Sequence, residues 1–109
     1  METPQQIVTE LAAIRSQSEK GIELLAAAER KMIELELEEQ RIELSTFIGT
    51  SGTVADKTAI SKLAALEKRG EAAIARAEVS RIKTKIGHLK DSQMAVMSAA
   101  KMIELEYRS

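Results

Sequence analysis

The sequence contains no cysteine, which excludes disulfides, thiolate metal sites and cysteine-based catalysis. Proline occurs once, at Pro4, and the only aromatic residues are Phe47 and Tyr107. β-Sandwiches and barrels draw on aromatics and frequent turns, so this composition excludes them. A membrane span needs roughly 20 consecutive apolar residues. The longest apolar run here is five, Leu24 to Ala28. Met1 is followed by polar residues and a proline, without the basic-then-apolar order of a signal peptide. These absences lead us to expect a cytoplasmic protein without membrane association. The net charge of −1 supplies no global attraction to nucleic acid.

What is present is helical. Ala, Glu, Lys, Leu and Arg make up 57 of the 109 residues, the bias of long helices or coiled coils. Thr3, Pro4 and Gln6 form a capping-box start with proline at the first helical position. Apolar residues then recur in steps of four and three at Ile7, Leu11, Ile14, Leu25, Ala28, Met32, Leu35 and Ile42. Ser18, Gly21 and Glu39 interrupt that stripe. A second stripe of Ile33, Leu37, Leu44 and Ile48 is expected to widen the buried face. The cluster Gly49, Thr50, Ser51, Gly52 and Thr53 is the one break, and Gly49 or Gly52 suits the left-handed conformation.

Thr53 and Asp56 mark the next helix start. Its first half presents Leu63, Leu66, Gly70, Ala73, Ala77 and Ser80 on one face. Its second half presents Ile82, Ile86, Leu89, Val96, Ala100, Ile103 and Tyr107, interrupted by Gln93. The face shifts between halves, so no single seven-residue register is expected along this helix. The reading is all-α: a single domain over residues 1–109, with a helix at 4–47, a turn at 48–53 and a helix at 54–107, folded into a long antiparallel hairpin. Residues 1–52 carry a net charge of −5 and residues 53–109 a net of +4, which favours laying one helix on the other.

A hairpin of two such helices has a thin core. We therefore expect a homodimer that completes a coiled coil or four-helix bundle. Folding about residue 51 sets Gln6 opposite about residue 96, so that helix two overhangs by about ten residues. The expected dimer interface is accordingly Val96, Ala100, Met102, Ile103 and Tyr107.

Chemistry has little to stand on. His88 is the only histidine and has no second histidine or cysteine beside it. Glu34, Glu38, Glu39 and Glu43 lack the Glu-x-x-His repeats of di-metal bundles and read as a solvated acidic face. Residues 49–53 lack the Gly-Lys-Ser/Thr ending of a phosphate loop. We expect no catalytic residue, no metal, no cofactor and no small-molecule substrate. Nucleic acid is the alternative partner. Residues 57–90 carry nine basic and three acidic side chains, densest at Arg76, Arg81, Lys83, Lys85 and Lys90. No aromatic interleaves them to stack bases.

Three segments bear a resemblance. They are Gly-Thr-Val-Ala-Asp-Lys at 52–57, Ala-Glu-Val-Ser-Arg-Ile-Lys-Thr-Lys-Ile at 77–86 and Ser-Ala-Ala-Lys-Met-Ile-Glu-Leu-Glu-Tyr-Arg at 98–108, joined by the alanine-rich stretch through Ala73 and Ala77. Together, residues 51–107 resemble small helical phage proteins encoded beside recombination genes. That resemblance implies a long helical protein of phage or prophage origin, in the cytoplasm of a bacterial host, without a transferable activity. The expected function is a non-enzymatic accessory or adaptor acting on an unidentified protein partner. The alternative is a nucleic-acid-associated recombination accessory.

Overall fold

A computed structural model describes residues 3 to 108, with side chains through Glu106. Among these residues the chain is 94% helix, in three helices and without strands. The helices are α1 (Pro4–Gly49), α2 (Val54–Ala64) and α3 (Leu66–Arg108). The start of α1 closes on itself: Gln6 N–H donates to Thr3 Oγ1 at 3.2 Å, and Thr3 N–H donates to Gln6 Oε1 at 2.9 Å. Two donors that the first turn would otherwise leave without partners are thereby satisfied. Asp56 N–H likewise donates to Thr53 Oγ1 at 3.2 Å and starts α2. Of the two candidate glycines, Gly52 makes the turn, with φ of 126°.

The expected unbroken second helix is corrected at Ala65, which separates α2 from α3 with φ −89° and ψ −1°. The break is shallow. Ala65 N–H still donates to the Ser61 carbonyl at 3.1 Å, and Arg69 N–H to the Ala65 carbonyl at 2.9 Å. Just upstream, Ser61 Oγ donates to the Lys57 carbonyl at 2.6 Å. A hydroxyl bonded to the preceding turn often bends a helix, and this one stands four residues before the relaxed turn, although the same bond from Thr9 to the Gln5 carbonyl leaves α1 unbroken.

The chain packs as two compact units, Ala26–Ser80 and Met1–Leu25 with Arg81–Ser109. Paired long helices touch only the segment opposite, so contacts stay local and the chain divides.

In the unit Ala26–Ser80, α2 and the start of α3 run antiparallel to α1, since Arg69 meets Glu39 while Arg76 meets Glu36. The seam on α1 follows the expected residues, from Ala28 through Met32, Leu35 and Ile42, all half-buried. Opposite them the expected face is wrong. Ser61, Ala65, Ala72, Ala75 and Val79 are the buried residues, at 0–7% exposure. Leu63 and Leu66 are 71% and 54% exposed. Large and small residues crowd this segment, and hydrophobicity alone selected the large ones. The structure buries the small ones, which let two helix backbones approach closely. The second stripe on α1 is corrected too: Ile33, Leu37, Leu44 and Ile48 are 51–81% exposed.

The other unit pairs residues of α1 up to Leu25 with α3 from Arg81. Gly21 lies against Ile86, where a Cβ on Gly21 would stand 3.1 Å from Ile86 Cγ1. Folding about residue 51 would have set Gly21 opposite residue 81. The five-residue offset brings Gln6 opposite about residue 101 and removes about half of the expected overhang. Ile7, near the start of α1, is only 4% exposed. Ile82, Ile86, Leu89, Gln93, Val96, Ala100 and Ile103 are half-buried, in steps of four and three. Those steps continue from Ser61, Ala65, Lys68, Ala72, Ala75 and Val79. One seven-residue register therefore runs from Ser61 to Ile103, against the expected shift between halves.

Candidate functional site

The residue after every second seam position recurs every seven residues along one flank of each helix. On α2 and α3 this flank reads Lys62, Arg69, Arg76, Lys83, Lys90, Met97 and Glu104. On α1 it reads Val8, Arg15, Ile22, Glu29, Glu36 and Glu43.

Within Ala26–Ser80 the flank is ionic. Arg76 Nε donates to Glu36 Oε1 at 2.9 Å. Arg69 Nε donates to Glu39 Oε1 at 2.9 Å, and its Nη2 lies 3.9 Å from Glu43 Oε2. Lys68 occupies a seam position, with Nζ 3.0 Å from Glu71 Oε2 and 3.6 Å from Glu38 Oε2. The hydrogen bond to Glu71, supported by attraction to Glu38, holds the Lys68 ammonium above the ordinary lysine value of 10.5. Glu39, which breaks the apolar stripe in the sequence, is therefore a paired carboxylate whose side chain is only 16% exposed. Charges placed in a seam select one register over its neighbours.

The five basic residues proposed for nucleic acid do not converge on one face. Arg76 is engaged with Glu36. Lys83 and Lys90 continue its flank at seven-residue spacing. Arg81 and Lys85 are each two residues from Lys83, roughly 160° around the helix in either direction. All five are exposed. The recurrence of Lys62, Arg69, Arg76, Lys83 and Lys90 every seven residues was the signal that assigns several of these cations to a flank. His88 is exposed, and Glu38, Glu39 and Glu43 are the ion-pair partners above. Among the described residues no group of three or more His, Cys, Asp or Glu side chains is arranged to hold a metal ion. No described helix is long and apolar enough to cross a membrane.

Of the expected dimer residues, Val96, Ala100 and Ile103 are half-buried seam positions, while Met102 is 65% exposed. The side chain of Tyr107 lies outside the described residues. Val96, Met102 and Ile103 line an open groove of about 380 Å³ with Ala95, Ala99, Glu10 and Glu106. Its floor is apolar and two carboxylates stand at its edge.

The largest feature is exposed apolar surface. Five apolar residues are buried, three of them alanine, whereas sixteen large apolar side chains are exposed among the described residues. No family model, curated relative or solved structure matches this chain.

Proposed function

We propose that this chain is a non-enzymatic accessory or adaptor that works through helical protein–protein contact, associates as a homodimer and makes a coiled coil or four-helix bundle in doing so. The phage-type resemblance of residues 51–107 suggests the setting, a bacterial cytoplasm. The observation that carries the reading is the imbalance between sixteen exposed large apolar side chains and five buried apolar residues. Each large side chain left in water forgoes about 1.5–3 kcal/mol that burial would supply. Association recovers part of it without any new element. Sedimentation of the full chain over a wide concentration range tests this: a mass of two chains or more is expected, and a monomer at every concentration refutes it.

A second reading, nucleic-acid association in recombination, draws on the exposed Arg81, Lys83, Lys85 and Lys90. Binding of this kind weakens steeply with salt because counterions are released from the phosphates. Arg81→Ala, Lys83→Ala and Lys85→Ala together should lower both affinity and salt slope in a DNA or RNA titration. Absence of binding at low salt leaves the adaptor reading alone.

A further inference from the structure

We propose that a second copy of this chain docks on one face of the unit Met1–Leu25 with Arg81–Ser109, the flank that carries Val8, Ile22, Met94 and Met97. This assignment rests on the homodimer reading above and names its surface. The four side chains are 66%, 60%, 67% and 54% exposed.

The flanking column argues for the location. In Ala26–Ser80 that column is charged on both helices, and the described pairs Arg76–Glu36 and Arg69–Glu43 span it. In the other unit the same column brings in Val8, Ile22 and Met97 between Arg15, Lys83, Lys90 and Glu104, with Met94 beside it. A stripe of two apolar positions in seven suits a pair of helices. A stripe of three in seven suits a helix facing more than one neighbour, as in a four-helix bundle. The unit holds only two helical segments, so the additional neighbours come from another molecule. Methionines at two of the four positions suit packing against a surface from a different chain.

Charge selects the arrangement of a two-fold pair. One two-fold choice sets α1 on α3 of the second copy, placing Val8 on Glu104 and Ile22 on Lys90. The other sets like helices antiparallel, so that Val8 meets Ile22 of the second copy and Glu104 meets Lys90 of the second copy. Only the second matches apolar with apolar and acid with base. At the axis Met97 meets Met97 of the second copy and Arg15 meets Arg15 of the second copy, a like-charge meeting that the long stems relieve by carrying the two guanidinium groups outward. The face is about 30 Å by about 20 Å, of order 600 Å² in flat projection, which side-chain relief brings toward the roughly 800 Å² per partner of a stable interface.

The test is the mass of the full-length Ile22→Glu and Met97→Glu variants in sedimentation, beside Leu37→Glu as a control on the other unit. Both face variants should halve the mass to one chain with helicity unchanged, while Leu37→Glu keeps the wild-type mass. A wild-type monomer overturns this proposal and the homodimer reading together. A dimer that survives both face variants overturns the face alone. If a variant unfolds, Val8→Cys combined with Ile22→Cys decides the matter. These thiols lie about 21 Å apart along one helix and cannot bridge within a chain. Mild oxidation should therefore yield a covalent two-chain species, and its absence overturns the antiparallel arrangement.

Discussion

Ala72 and Ile74 stand two residues apart on α3 and offer a sharp test of which face is inside. Ala72 is 0% exposed and Ile74 is 73% exposed. Ala72→Leu adds three carbons where the two helices meet, and overpacking of this kind costs about 1–3 kcal/mol. For a domain near this size, each kcal/mol moves Tm by about 4–8 °C. The variant should therefore melt at least about 4 °C below wild type and, at the upper end, more than 20 °C below. Ile74→Ala removes more apolar volume, yet it should stay within about 0.5 kcal/mol of wild type because the side chain is in water. Thermal and urea unfolding followed by circular dichroism, at one fixed protein concentration, measures both. Hydrophobicity alone forecasts the reverse, since truncating a buried isoleucine costs about 2–5 kcal/mol. An Ala72→Leu variant as stable as wild type, or an Ile74→Ala variant that loses 2 kcal/mol or so, would refute the small-residue seam.

The same unfolding assay serves three other predictions. Gly70 has nothing within 4 Å of an added Cβ, so Gly70→Ala should stabilise by about 0.5–1 kcal/mol, whereas Gly21→Ala should gain less because its Cβ presses on Ile86 Cγ1 at 3.1 Å. Gly52→Ala should destabilise, because φ of 126° is strained for any side chain. Lys68 binds its proton more tightly folded than unfolded, so its contribution is complete below the ordinary value of 10.5 and is lost as pH rises through the raised folded value. The stability gap between wild type and Lys68→Met should accordingly persist through neutral pH and shrink in strong alkali as Lys68 loses its proton; a gap that stays unchanged in strong alkali would contradict the Glu71 and Glu38 contacts.

Local signals carried the helices well. Thr3, Gln6, Thr53 and Asp56 are read by short-range chemistry, and each makes the hydrogen bond that its spacing implies. The α1 seam was legible because Ile7, Leu11, Ile14, Leu25 and Met32 are large residues in a polar background. The seam of α2 and of the first part of α3 was not. Between Ser61 and Ser80, alanines occupy several faces at once, and Leu63, Leu66 and Ile74 pull the apparent apolar face away from the seam. A pattern rule ranks positions by hydrophobicity, while a helix pair ranks them by how near its partner can come. Glu39 and Lys68 were opaque for a related reason: a charge in a seam reads as an interruption until its partner, thirty residues away, is known.

Seam size also bears on where the two kinds of candidate surface fall. In Ala26–Ser80 one side of the seam is built of Ser61, Ala65, Ala72 and Ala75, and small residues allow short interaxial distances. At such distances Arg69 and Arg76 reach across to Glu39 and Glu36 at 2.9 Å and cover that flank with ion pairs. An exposed pair such as Arg76–Glu36 adds only about 0–1 kcal/mol, so its effect is on register and wetting more than on stability. In the other unit the α3 seam is built of Ile82, Ile86, Leu89 and Val96, and the flank beyond it carries Val8, Ile22 and Met97 alongside Arg15, Lys83, Lys90 and Glu104. The exposed apolar side chains on that flank, Val8, Ile22 and Met97, give water no polar group to bind and gain more from a packed neighbour than from solvent. The ionic flank differs, because its carboxylates and guanidinium groups would have to be desolvated before anything could pack on them.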